Sequence, residues 1–346
     1  MKTLCIRVDY GRMIGLGHLM RCLGIAQAYQ EKGHEINFIS SIECKNVSIE
    51  KRLRKERMGF TYLQAKPASL DDAQKTATYV KDDEWLVLDG YHFNRKYQRA
   101  IEGRVKQMLL VDDFGQWKRY GAHMILNQNI FGKKKWYTRT SKNSQLLLGL
   151  EYIVLRKEFW KYVGHKRSIS SRADKILVMM GGSDPHNATL KVIQAMQWVN
   201  VPGLQVRVVV GAVNPFYQDL QKATKEGAQD IKLIRNTDNV PQLMAWADLC
   251  ISAGGGTCWE MAFMGLPSVM IATAPDQGMH SQKLQQKGSV IYLGKNTNVT
   301  REQISSVVIS LLTDARKRKK MSQIGQKLID GKGAFRVAEH MIRKDG

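Results

Sequence analysis

Apolar residues along this chain fall into two alternating kinds of run. Short unbroken runs read as buried strands. Between them stand segments in which apolar positions return every three or four residues, the period of a helix. "LCIRV" (4–8) predicts a strand and residues 18–32 a helix, with Leu19, Leu23 and Ala26 on one face and Gly33 as its stop. "EINFIS" (35–40), "WLVLDG" (85–90), "QMLLVDD" (107–113) and the weaker "HMILNQ" (123–128) continue the strands. A second series opens near 174 with "KILVMM" (175–180), then "LQVRVVVG" (204–211), "IKLIR" (231–235), "DLCISA" (248–253), "LPSVMIA" (266–272) and "SVIYLG" (289–294). Helices are expected from about 188, near 216, over 240–247, after "GGGTCWE", near 281 and through the C-terminus.

Alternation of this kind is the signature of parallel α/β domains. The fold class predicted is α/β, as two doubly wound, Rossmann-like parallel-sheet domains with a cleft between their sheet ends. An N-terminal domain is expected over 1–161, a linker over 162–174 and a second domain over 175–314. Helices over 315–346 are expected to pack back toward the N-terminal domain. In doubly wound sheets ligands sit beyond the C-terminal ends of the strands, so the loops that follow strands should carry the chemistry.

Composition changes the picture in three places. Five scattered cysteines with no C-x-x-C pair support neither a disulfide framework nor a zinc site; Cys5 and Cys250 read as small buried hydrophobes. No apolar run reaches membrane-spanning length, and Arg7 and Asp9 interrupt "MKTLCIRVDYG" too early for a signal peptide, so a cytoplasmic protein is expected. Lys and Arg number 53 against 31 Asp and Glu, a formal charge of +22. Such a field attracts phosphorylated metabolites and allows weak association with an anionic membrane surface. The basic clusters at 51–57, 133–135 and 316–320 lack interleaved aromatics, so no specific nucleic-acid partner is expected.

Three glycine-rich loops follow predicted strands: "YGRMIGLGH", "GGSDPHN" and "AGGGT". None is a Walker A loop, and the first lacks the third glycine of the dinucleotide fingerprint. In the third, Gly254, Gly255, Gly256 and Thr257 can hold a diphosphate, with Glu260 on the ribose hydroxyls. A capping box from Thr257 to Glu260 explains the same pair structurally. Gly181 and Gly182 give the second loop the same phosphate-binding character. His18 either merely opens its helix or, at the positive end of the helix dipole, takes a proton from water. Arg7 or Asp9 can orient that ring or a sugar, although Arg7 also suits a structural ion pair. Arg21 reaches either a phosphate or a surface salt bridge. Asp89, Asp112 and Asp113 end parallel strands and are given no role, as are His186 and His280.

"GGGTxxE…GxP…DQ" with "GGSD" upstream resembles the nucleotide-sugar domain of two-domain GT-B proteins, such as the transferase that makes lipid II. "RVDYGRMIGLGHLMRCLGIA" resembles the R-x-D-x-x-x-x-I-G-x-G-H-x-x-R-x-L-x-L-A signature of the pseudaminic acid pathway hydrolases, which act on UDP-2,4-diacetamido-2,4,6-trideoxy-β-L-altropyranose. The likeness continues through "LVLDGYHF", "LLVDDFG", "ILNQN", "LLGLEYIVLRKEF" and "DGKGAFRVAEHM". It implies cleavage of the sugar–UDP bond by water at the anomeric carbon, with inversion, on a small-molecule UDP-sugar. Neither a metal nor a cofactor is expected. The family's catalytic histidine falls on His18 and its tyrosine on Tyr91. Its asparagine meets Asp276, where a carboxylate accepts and an amide would donate. Sugar contacts are expected at Arg7, Asp9, Gly17, Arg21, Asn127 and Gln277.

Overall fold

The computed structural model describes residues 2–11, 14–117, 119–138, 140, 144–211, 214–226, 229–235 and 237–343. In chain order the first strands and helices are β1 (Thr3–Val8), α1 (Gly17–Gln30), β2 (Glu35–Ser41), α2 (Val47–Lys55), β3 (Gly59–Leu63) and α3 (Leu70–Thr78). Next come β4 (Trp85–Asp89), α4 (Arg95–Ile101), β5 (Gln107–Val111), β6 (Met124–Asn127), β7 (Gln145–Leu148) and α5 (Lys157–Trp160). The second sheet is built from β8 (Lys175–Met179), β9 (Gln205–Val210), β10 (Asp230–Arg235), β11 (Leu249–Ser252), β12 (Ser268–Ala272) and β13 (Val290–Lys295). Among these strands lie α6 (Ala188–Met196), α7 (Tyr217–Ala223), α8 (Val240–Trp246), α9 (Thr257–Phe263) and α10 (Pro275–Lys287). The chain ends on α11 (Arg301–Thr313), α12 (Ala315–Leu328) and α13 (Gly333–Arg343).

Two compact units result, one formed by residues 1–160 with 331–346 and the other by 161–330. The first holds a seven-stranded sheet ordered β3-β2-β1-β4-β5-β6-β7, and the second a six-stranded sheet ordered β10-β9-β8-β11-β12-β13. All neighbouring strands in both sheets run parallel. Strands buried on both faces explain why the sequence shows unbroken apolar runs there rather than alternation. Each order reverses direction once, between β1 and β4 in the first unit and between β8 and β11 in the second. Those reversals are the switch points at which such sheets open a crevice for ligands.

In the first unit α1 is buried on nearly every side, because α13 covers the face that the sheet leaves. Ala334, Val337, Ala338 and Met341 of α13 join Leu19, Leu23, Ile25 and Ala26 in one core. Helix α12 belongs to the second unit. The stretch 162–174 is also pinned onto that unit. Arg167 caps the carbonyls of Met264, Ala247 and Met244, and buried Arg318 reaches the carbonyls of Ser170 and Ser171. All five cysteines are buried free thiols. Among the described residues no helix is long and apolar enough to cross a membrane.

Candidate functional site

The first unit's switch point is crossed by an ionic chain. In register Val8 pairs with Asp89, so the end of β4 lies level with the start of the loop that leads to α1. His18, in the first turn of α1 and 9% exposed, turns its Nδ1 to Asp89 Oδ1 at 2.7 Å. A carboxylate only accepts, so this bond places a proton on Nδ1 and leaves Nε2 as the ring nitrogen that Asp89 does not hold. Arg21, one helical turn on, grips Asp89 through Nε (2.9 Å) and Nη2 (2.8 Å) and Asp113 through Nη1 (2.8 Å) and Nη2 (3.1 Å). The same Nη2 comes within 3.2 Å of His18 Nδ1. Arg21 is thus neither a surface salt bridge nor extended toward a phosphate; it is nearly buried between two carboxylates. Burial opposes the ionisation of Asp89, but Arg21 and His18 outweigh it and hold its carboxyl well below the usual range. Asp113, beside the same guanidinium, is also held low against its burial.

Tyr91 stands two residues beyond Asp89. Its hydroxyl donates to Asp113 Oδ2 at 3.0 Å, and its ring meets the His18 ring edge-on with centroids 4.7 Å apart. The ring is 44% exposed, so one edge braces the histidine while the other faces solvent. Asn129 donates to Asp113 Oδ1 at 2.8 Å and completes the support of that carboxylate. Asn127, expected at the sugar, is fully buried. Its Nδ2 donates to the Tyr137 hydroxyl at 2.7 Å and its Oδ1 accepts from the Asn129 N–H at 3.0 Å, so the amide is spent inside the unit. Asp112 is the hub of that interior. Tyr120, Tyr137 and the Gly115 N–H all donate to its Oδ2, and burial still pushes its carboxyl above the usual value.

Arg7 and Asp9 make a separate network and do not meet His18. Arg7 is fully buried and bonds Asp9 (2.6 and 3.0 Å) and Asp72 (3.0 and 2.6 Å) with its three nitrogens. Asp9 also accepts from the Ser41 N–H at 2.8 Å and faces His92 Nε2 at 2.9 Å. Gly17 is the first residue of α1 and a Cβ there would meet nothing within 4 Å. Arg12 and Met13 of this loop lie outside the described residues.

In the second unit the glycine loops follow β8 and β11, the two strands that flank its switch point. Gly181 has φ +99°, and Gly182 lies under the next loop, where a Cβ on Gly211 would fall 1.9 Å from the Gly182 carbonyl oxygen. Asp184 is structural, accepting from the N–H groups of Ala188 and Thr189 and from the Thr189 hydroxyl to start α6. Gly254, at φ +82°, has room for no side chain, since a Cβ would lie 2.4 Å from Ser281 Oγ. Gly256 is the N-cap of α9, and no side chain caps it, so Thr257 sits inside the helix rather than at the head of a capping box. Glu260 follows one turn on, half-buried. Gln277 caps α10 instead: its Oε1 accepts from the Thr273 N–H (2.8 Å), the Thr273 hydroxyl (3.0 Å) and the Ala274 N–H (3.1 Å). That leaves its Nε2 turned toward Gly255. Asp276 lies in α10, and its side chain is outside what is described. A separate depression of about 490 Å³, lined by His186, Lys191, Thr300 and Arg301 among others, includes none of these loop glycines.

The chain pattern missed Asp89, Asp113, Asn129 and His92. Sheet order is the signal that recovers the first of these, because β1 and β4 become neighbours only once the strands are threaded.

Residues 176–334 match the glycosyltransferase family 28 C-terminal domain. An uncharacterized protein of Methanocaldococcus jannaschii is 25% identical over 274 residues, which cover 78% of this chain and 55% of that one. The pseudaminic acid cytidylyltransferase and UDP-2,4-diacetamido-2,4,6-trideoxy-β-L-altropyranose hydrolase of Helicobacter pylori is 24% identical over 295 residues, 83% of this chain and 47% of its own. The chain therefore spans about half the length of these curated relatives. The crystal structure of Acinetobacter baumannii MurG matches with a TM-score of 0.67 at 14% identity, over 99% of this chain and 100% of that one. The fold is two parallel-sheet α/β domains of the GT-B glycosyltransferase kind.

Proposed function

We propose that this chain is a nucleotide-sugar hydrolase that cleaves the anomeric C–O bond of a UDP-linked diacetamido-trideoxy sugar with inversion. The observation that carries this reading is the His18–Asp89 pair at the switch point of the first sheet. Asp89 fixes the tautomer in which Nε2 can accept a proton, the arrangement a general base needs. The relative from Helicobacter pylori, whose name includes this hydrolase, supports the substrate class.

In this reading the first unit binds the sugar and supplies the base, and the second unit binds UDP. His18 Nε2 takes a proton from water as the water oxygen bonds the anomeric carbon. The C–O bond to the β-phosphate breaks and its electron pair leaves on UDP. Backbone N–H groups around Gly254–Gly256 stabilise the departing diphosphate, with Gly181 and Gly182 beside it, Thr257 on a phosphate oxygen and Glu260 on the ribose. Tyr91, anchored on Asp113, holds the His18 ring edge and offers its exposed face to the sugar. Asp276 and Gln277 contact the sugar at the head of α10, with Asp276 accepting where the hydrolase family's asparagine donates.

A second reading is a glycosyltransferase that uses a UDP-amino sugar and a membrane-associated acceptor. The family 28 match over 176–334 favours it. Incubating the protein with a panel of UDP-sugars in ¹⁸O-labelled water separates the two. Label in the free sugar and none in UDP is the expected result, whereas release only when an acceptor is added selects the transferase. Full turnover by a His18→Ala variant would overturn the base assignment.

A further inference from the structure

The depression of about 490 Å³ in the second unit lies between the starts of two helices. α6 follows β8 and α11 follows β13, and the two share one core through Val192, Ile193, Ile304 and Val308. α6 lines the depression with Asn187, Leu190, Lys191 and Gln194, spaced i, i+3, i+4 and i+7 on one face. α11 lines it with Arg301 and Glu302 of its first turn. None of these residues has a part in the function proposed above.

Lys191 is held by the loop that follows β13. Its Nζ donates to the carbonyls of Asn296 and Val299, which uses two of its three N–H groups. Carbonyls orient an ammonium without neutralising it, and burial lowers the pKa of Lys191. Arg301 lies over the Trp198 ring, 5.0 Å from its centroid, and makes no other described contact with a side chain except through the charge of Glu302. Among the described residues neither cation forms an ion pair with a carboxylate. Lys191 and Arg301 set against Glu302 therefore leave a net positive charge on the lining.

The amides of the same face are uncommitted. Among the described residues neither Asn187 nor Gln194 makes a side-chain hydrogen bond. Three kinds of group thus meet in one hollow. Two cations match the oxygens of a phosphate. Two amides and a carboxylate match hydroxyls, which both give and accept. Leu190 offers a carbon skeleton an apolar side. A volume of about 490 Å³ exceeds what a lone phosphate ion fills and lies within the range of small-molecule sites.

We propose that this depression is a second ligand site, separate from the glycine loops, and that it takes a sugar phosphate. The phosphate is bound by Arg301 and the remaining N–H of Lys191, and the hydroxyls by Asn187, Gln194 and Glu302.

The test is calorimetric titration of the full chain with glucose 6-phosphate, with and without saturating UDP, beside titrations with glucose and with inorganic phosphate. Glucose 6-phosphate is expected to bind saturably in both conditions and about tenfold more tightly than inorganic phosphate, while glucose gives no saturable binding. Arg301→Gln, at an exposed position, should weaken glucose 6-phosphate about tenfold and leave UDP affinity unchanged. Gln194→Leu should weaken glucose 6-phosphate and not inorganic phosphate. Absence of saturable glucose 6-phosphate binding, its loss when UDP is added, equal affinity for inorganic phosphate, or full affinity in Arg301→Gln each overturns the proposal and leaves the His18 hydrolase reading intact. Failure of the protein to bind UDP overturns that reading alone, since the Arg301 variant still reports on the depression.

Discussion

His18 and Asp89 stand 2.7 Å apart across the reversal in strand order of the first sheet, one from the helix after β1 and one from the end of β4. The contact joins segments 71 residues apart in sequence and gives the imidazole a single orientation.

Replacing Asp89 with asparagine puts an amide, which donates as well as accepts, where only an acceptor stood, so the His18 tautomer is no longer fixed and Arg21 is left with one carboxylate instead of two. Turnover should fall by about a hundredfold or more, the share of a rate that an oriented general base supplies. UDP affinity, which the proposed function places on the second unit, should change little. Steady-state kcat on a turned-over UDP-sugar, set beside a calorimetric Kd for UDP, checks both halves; an equal loss in the two would contradict the prediction.

Acid should loosen the first unit earlier than the second. Asp9, Asp89 and Asp113 are all held below the ordinary carboxylate range, so their unfolded forms bind protons more readily than their folded forms. The stability they contribute is fully present above about pH 4, the unfolded value, and is lost as pH falls through the folded values below it. Thermal unfolding followed from about pH 6 downward should be flat at first and then drop steeply below about pH 4. Arg21→Met should shrink that drop, because it removes the cation that depresses two of the three. A variant whose curve matches the unsubstituted protein would refute the assignment.

Gly254→Ala forces a side chain at φ +82° against Ser281 Oγ, whereas Gly255→Ala would meet only Gln277 Nε2, at 3.8 Å. The first substitution should destabilise the second unit by about 1–3 kcal/mol and weaken UDP binding, and the second should be nearly neutral for folding. Urea unfolding of the two variants gives the comparison directly.

Asn127 offers the opposite kind of test. With its amide committed to Tyr137 and Asn129, Asn127→Ala leaves buried polar groups without partners and should cost about 1–3 kcal/mol. The KM for a UDP-sugar should not move in the folded variant. A selective rise in KM with unchanged stability would return Asn127 to the sugar.

Much of the architecture is legible in the residues because strands buried on both faces write themselves as apolar runs. "WLVLD" and "KILVM" are examples. The edge strands are not: Gly59–Leu63 is half-exposed along most of its length, and Gln145–Leu148 is only four residues long. Neither leaves a period to read. At the site, His18 stands out because its loop is distinctive in sequence. Asp89 does not, because an acid at the end of a strand says nothing until the strand's neighbours are known. For Arg21 the sequence leaves a phosphate contact and a surface salt bridge both open, for a related reason: burial of a charge depends on two carboxylates delivered by β4 and from beyond β5, and no local pattern carries that information. Thr257 shows the limit of motif spacing, since T-x-x-E fits a capping box that the glycine before it displaces.

The cap that Gln277 makes on α10 has a consequence for whatever lies against the third glycine loop. Three donors lock its carbonyl oxygen, so the amide cannot turn over to suit a visitor. Its nitrogen is the end that remains toward Gly255. The position is therefore polar in one sense only: it can meet a carbonyl, phosphoryl or hydroxyl oxygen as a donor, and an ammonium or N–H group laid against it finds no acceptor there.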